Sequence, residues 1–172
     1  MVFLLSEGGN RNVYVQIQNP PVEGRRMEIS ITDLSCGSPL EMERLRGLAE
    51  KALRVEQAAE DTELSLALVS PERMAELNQV YLGREGPTDV MAFPMDEGRD
   101  EGGLLLGDVV VCPREVQERR EIYGVPDGEE VGYALVHGIL HLLGYRHDTE
   151  VGNGEMDDRV RDILAEDAKR KE

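Results

Sequence analysis

Basic charge is in short supply in this 172-residue chain: 19 Lys and Arg stand against 35 Asp and Glu, for a net charge of −16. Nucleic-acid binders usually carry a basic footprint, so this balance argues against broad electrostatic contact with RNA or DNA. It leaves room for a small basic patch, or for a metal ion that brings positive charge to one place. Cysteine is scarce too. Cys36 and Cys112 have no ligand-like spacing and read as free thiols, Cys112 in an apolar strand. No apolar run reads as a membrane span. The opening MVFLL has neither a basic flank nor a small-residue cleavage site. That argues against a secretory signal and makes the cytoplasm the expected location. Internal repeats and low-complexity tracts are absent. The composition is otherwise globular, 40% hydrophobic and 31% charged. The length suits one domain with a substantial core.

Residues 1–26 differ from the rest. VYVQIQ alternates as a strand does, but NPPVEGRR breaks the pattern, and a mobile N-terminal extension is the expectation. From Met27 the pattern is regular. MEISIT alternates with period two and predicts a strand. Ser38-Pro39 predicts a helix start, followed by Leu45, Leu48, Ala49, Ala52 and Leu53 at helical spacing. LSLALV (64–69) predicts a second strand, and Ser70-Pro71 a second helix with Met74, Leu77, Asn78 and Tyr81 on one face. TDVMAFP (88–94) predicts a strand stopped by Pro94, and LLLGDVVVC (104–112) is the most apolar strand candidate. Between them, MDEGRDEGG reads as a polar connection. Pro113 opens a short helix ending near Gly124. Asp127 and Glu130 form a capping-box-like start to a helix that is apolar nearly all round and should be buried. Gly144 is placed to end it in a left-handed turn. The last helix carries Met156, Val160, Ile163 and Leu164. The expected fold is α+β: one domain over 27–172, with a mixed β-sheet of about four strands packed with about five helices.

Histidine is the rarest chemistry-bearing residue, and all three copies fall in 137-HGILHLLGYRHD-148. Residues four apart on a helix share a face, about 40° apart around the axis, so His137 and His141 can share a metal ion. Gly144 lets the chain reverse, and His147 returns three residues later. Three neutral imidazoles leave the fourth tetrahedral position open, the arrangement of a catalytic zinc site. The blander reading is three satisfied core histidines. An uncoordinated pair inside an apolar helix would leave buried nitrogens to be satisfied at a cost. The spacing matches the metzincin protease signature except that Gly138 stands where those enzymes carry their general-base glutamate. The metal site survives this change and the usual protease chemistry does not.

HGILHLLGYRHD resembles the H-G-x-L-H-L-x-G-Y-D-H signature of the YbeY family, bacterial endoribonucleases of ribosomal RNA maturation. LNQVYLGREGPTDVMAFP is similar to that family's L-N-x-x-Y-R-x-K-D-x-P-T-D-V-L-S-F-P segment, and LLLGDVVVCP to its L-G-D-[IV]-x-I strand. The likeness runs from about Met27 to the C terminus. It implies a zincin-like fold and one zinc ion held by His137, His141 and His147. It implies single-strand-specific cleavage of ribosomal RNA precursors, above all at the small-subunit 3′ end, and a part in ribosome quality control beside ribosomes in the cytoplasm. The chain departs from the family pattern at Arg146, Leu82 and Ala92, where the family has Asp, Arg and Ser. It also carries no arginine in LSLALV, where some members have one.

Other residues have two readings each. Asp148, Asp89 and Asp108 are the candidate proton acceptors, in that order. Asp148 reads equally as a cap for the last helix, and Asp89, beside Thr88, as a cap at a strand entrance. Asp108, central in an apolar strand, is expected to accept hydrogen bonds from the histidine loop or from backbone. Arg114, Arg119 and Arg120 alternate with Glu115, Glu118 and Glu121, the pattern of a solvated face with i, i+4 pairs. Arg114 and Arg120, with Arg146, are also candidate RNA contacts, since phosphate binding needs few cations. The acidic run at Asp157-Asp158 reads as solvated surface. The expected activity is zinc-dependent RNA cleavage, with single-stranded RNA and small-subunit ribosomal proteins as partners, and neither DNA nor membrane. Two alternatives are a metal-dependent peptide hydrolase and a ribosome-assembly factor with a structural zinc.

Overall fold

The computed structural model describes residues 27–35, 39–95, 99–100, 103–146 and 150–168. The expected N-terminal extension, Cys36, His147, Asp148 and the charged C-terminal tail from Lys169 lie outside them. The elements run β1 (Glu28–Asp33), α1 (Pro39–Val55), β2 (Thr62–Leu68), α2 (Pro71–Leu82), β3 (Val90–Pro94), β4 (Arg99–Asp100), β5 (Gly103–Val111), α3 (Pro113–Glu118), a 3-10 turn at Arg120–Ile122, α4 (Glu130–Leu142) and α5 (Glu150–Ala168). The strand order is β1-β2-β5-β3, and the two-residue β4 pairs with β5. β1, β2 and β5 are parallel, while β3 runs antiparallel to β5 at the edge. The parallel pairs need crossovers, which α1 and α2 supply. The α+β expectation of four main strands and five helices holds.

Strand alternation assigns the two sheet faces. Leu64, Leu66, Leu68, Val109, Val111, Val90 and Ala92 join the main core with α1, α4 and α5. Met91, Val110 and Phe93 face the other way, toward Met74 of α2. The α1 residues Leu45, Leu48, Ala49, Ala52 and Leu53 are all buried, as their spacing predicts. In α4 every residue is buried except Val131 and His137, which are half-buried. This apolar helix therefore lies inside the domain and opens toward solvent at a histidine.

Two glycines permit this packing. A Cβ on Gly138 would sit 2.7 Å from Val109 Cγ1 and 3.3 Å from Val90 Cγ2, so α4 rests its bare backbone on the sheet. Gly107 has φ +141°, and a Cβ there would lie 2.3 Å from the Phe93 carbonyl oxygen. It sits where the β2–β5 register slips between Glu63 and Leu64, a bulge that only glycine accommodates.

Some local expectations are corrected. β3 begins at Val90 rather than Thr88, because the Asp89 side chain accepts the Val90 N–H at 3.0 Å and turns the chain there. The capping box at Asp127 does not form. Glu129 is the N-cap of α4 without a side-chain cap, and Glu130 instead accepts the Gly128 N–H at 2.7 Å. The short helix after Pro113 breaks at Glu118 and continues as the 3-10 turn before Gly124, whose φ is +60°. Cys112 is the N-cap of α3 just past β5, fully buried, and burial pushes its thiol pKa up. It stays protonated and unreactive. Among the described residues no helix is long and apolar enough to cross a membrane.

Candidate metal centre

α4 carries both described histidines on one face. Their ring centroids lie 4.8 Å apart with planes at 83°. Gly144, with φ +98°, turns the chain immediately after the helix, and the Tyr145 N–H returns to the Leu140 carbonyl at 3.0 Å. The turn brings the Tyr145 carbonyl oxygen to 2.9 Å from Nδ1 of His141. A carbonyl oxygen can only accept, so Nδ1 carries the proton, and the neutral ring keeps its lone pair on Nε2. This is the tautomer a metal ligand needs, fixed by a backbone acceptor. His141 is 3% exposed, which keeps that nitrogen out of bulk water. The two described imidazoles are therefore suited to a metal ion, and His147, the third ligand expected from the sequence, lies outside the described residues. Among the described residues no three metal-capable side chains cluster.

The pair is backed by tyrosines. Tyr133, one turn before His137, stacks on its ring at 6.0 Å and 19°. The Tyr133 hydroxyl donates to Asp157 of α5 at 2.6 Å, so this half of the acidic run is tied to the core rather than simply solvated. Tyr123 packs on Tyr133 at 5.3 Å and donates to Asp89 Oδ2 at 2.6 Å. Thr88 Oγ1 donates to Asp89 Oδ1 at 3.0 Å. Burial opposes ionisation of Asp89, while the Tyr123 and Thr88 hydroxyls each donate a hydrogen bond that favours its charged form. Burial and then the Asp89 carboxylate push the Tyr123 hydroxyl well above its ordinary pKa. It remains a donor at every working pH. Replacing Tyr123 with Phe should lower stability by about 1–3 kcal/mol, because it strips a donor from a buried carboxylate. A denaturant melt checks this, and an unchanged midpoint would contradict it.

The remaining sequence-derived residues scatter. Asp108 pairs in register with Phe93 and Ser65 and lies two residues from Val110, on the α2 side of the sheet. It is half-buried and faces away from α4, and the part of the histidine loop from His147 to Thr149, its expected partner if not backbone, lies outside the described residues. Arg114 is mostly exposed and pairs with Glu118 at 3.5 Å. Arg119 pairs with Glu115 at 3.4 Å and reaches the Pro87 carbonyl. Arg120 is exposed beside Glu121, Asp127 and Glu130 around a shallow depression. Arg146 is exposed, two residues beyond Gly144 on the chain leading to His147. The sequence reading missed Tyr133, Tyr145, Glu56 and Arg159. Only Tyr145 had a signal, its place inside the histidine motif.

A mixed sheet with a buried, histidine-paired helix pressed on one face defines an α+β fold. Comparison with known proteins narrows the class. The family model Endoribonuclease YbeY matches residues 31–167. A protein of that name from Bacillus mycoides is 40% identical over 128 residues, 70% of this chain and 82% of its own length. Its namesake from Moorella thermoacetica is 39% identical over 151 residues, 81% of this chain and 96% of its own. The solution structure of a Thermotoga maritima protein is similar at TM-score 0.55 and 28% identity, covering 83% of this chain and 93% of the other. The chain belongs to the YbeY endoribonuclease family.

Proposed function

We propose that this protein is a zinc-dependent endoribonuclease that cuts single-stranded RNA. Its proposed substrates are ribosomal RNA precursors, at the small-subunit 3′ end, and its setting is ribosome maturation and quality control in the cytoplasm. The observation that carries the reading is the imidazole pair on α4, with His141 held in the ligand tautomer, on a chain whose relatives are named endoribonucleases. The catalytic domain starts at Met27, and residues 1–26 are an extension to it.

His137, His141 and His147 are the proposed zinc ligands. A zinc ion there supplies Lewis-acid stabilisation of charge on a phosphoryl oxygen. The chain's own residues do the rest. The Tyr145 carbonyl holds the Nδ1 proton of His141 throughout. Asp148, next to His147, leads as proton acceptor. Asp89 is engaged with Tyr123, Thr88 and the Val90 N–H, and Asp108 lies on the other sheet face. Arg146 is the nearest proposed phosphate contact along the chain. Arg114 and Arg120 are weaker candidates, since carboxylates surround both. With a net charge of −16, binding to naked RNA should be weak and salt-sensitive, and small-subunit ribosomal proteins are proposed to deliver the substrate. The peptide-hydrolase alternative loses support, because the Gly138 position has no room for a general-base glutamate.

Protein of measured zinc content, given matched single-stranded and duplex oligoribonucleotides and a DNA control, tests the reading. Cleavage of the single strand alone is expected. Equal cleavage of the duplex would overturn the specificity.

A further inference from the structure

Behind His141 runs a chain of contacts that ties together three distant parts of the sequence. The Tyr145 carbonyl accepts from His141 Nδ1 at 2.9 Å. The Tyr145 hydroxyl donates to Glu56 Oε2 at 2.8 Å. The other oxygen of Glu56 accepts from Arg159 Nε of α5 at 2.5 Å. Arg159 also donates to the Val55 carbonyl at 3.4 Å.

Glu56 is placed against its local electrostatics. It follows Val55 at the C-terminal end of α1, where the helix dipole disfavours a negative charge. Its side chain is only 10% exposed, so water solvates it little. The chain bends directly after it through Gln57, the one described non-glycine residue with positive φ, at +56°. Arg159 offsets the charge and also engages the α1 terminus. A carboxylate kept in so unfavourable a place, with both oxygens engaged, holds the Tyr145 ring in one position. The ring in turn fixes the carbonyl that sets the His141 tautomer.

We propose that Glu56, braced by Arg159, is a positioning residue for the metal centre, acting through Tyr145 on the ring orientation of His141. This rests on the reading of His141 as a metal ligand. The competing role is a staple that joins α1, α5 and the turn after α4 without regard to the metal.

Zinc affinity by chelator competition and the visible absorption of the cobalt-substituted protein separate the two roles, with melting of the metal-free protein alongside. Glu56→Gln and Tyr145→Phe should each weaken zinc binding about ten-fold or more and alter the cobalt spectrum. Arg159→Lys keeps the cation and should stay near wild type. If both variants bind zinc as the wild type does and only melt earlier, the pair is a staple and the proposal falls. Should Glu56→Gln fail to fold, Tyr145→Phe decides alone, since it keeps the ring and removes one hydroxyl. His141→Ala run in parallel keeps the two readings apart. If it retains zinc at wild-type affinity, the metal reading itself is wrong. If it releases zinc while Glu56→Gln binds normally, the positioning role alone is wrong.

Discussion

Replacing Gly138 with glutamate should unfold the domain rather than install a protease's general base. The Cβ alone would stand 2.7 Å from Val109 Cγ1 and 3.3 Å from Val90 Cγ2. Neither valine can step aside. Val109 is fully buried on β5, Val90 is buried on β3, and both are stiff β-branched side chains. One surplus methyl in a packed contact costs about 1–3 kcal/mol. A carboxylate in the same dry contact adds the desolvation of an unpaired charge, which is several kcal/mol more. Against a typical domain stability of about 5–15 kcal/mol, the sum is large enough to lose the fold. Gly138→Ala grades the argument: it should remain folded with a clearly lowered melting temperature. Circular dichroism melts of the three proteins check this, and a glutamate variant that melts with the wild type would contradict the packing account. The glycine that distinguishes this motif from the metzincin pattern thus follows from how closely α4 lies on its sheet.

Removing His141 should release about one equivalent of zinc per chain and leave a folded protein. The ring is buried at 3% exposure, and its Nδ1 bond to the Tyr145 carbonyl sets the tautomer. Truncation to alanine leaves a cavity at the end of α4, but the helix keeps Leu135, Val136, Ile139 and Leu140 in the main core. Loss of metal should therefore precede loss of fold. Elemental analysis beside a melting curve measures both. Unchanged zinc in a folded His141→Ala protein would show that the site has been misread.

Much of this architecture is legible in the sequence because it follows from periodicity. Alternation marks β1, and short apolar runs mark β2 and β5, to within about two residues. The apolar spacing of α1 identifies five residues that are all buried. The all-round apolarity of α4 marks it as the interior helix, and the four-residue histidine spacing places both rings on one face. The failures have physical causes. Asp108 sits in a run so apolar that alternation no longer tells one face from the other. Only the packing of Val109 against Gly138 shows that Asp108 points toward α2. Asp89 and Thr88 read as a strand entrance or a site, and their partner Tyr123 lies 34 residues away. Asp157 reads as surface because it stands beside Asp158 in an acidic run, yet Tyr133 reaches it across the α4–α5 contact. Glu56 and Arg159 are 103 residues apart, and no local pattern can pair them. Elements follow from local chemistry, while the groups that orient a ligand ring come from wherever the fold brings them.

The most direct test of the account is RNA cleavage by wild-type protein of measured zinc content, with His137→Ala protein purified in parallel. His137 is the half-buried residue at which α4 opens to solvent, so its loss should leave the core intact and remove a ligand. The wild type should cut single-stranded RNA, and the variant, folded but depleted of zinc, should not. Equal cutting by both proteins would contradict the account.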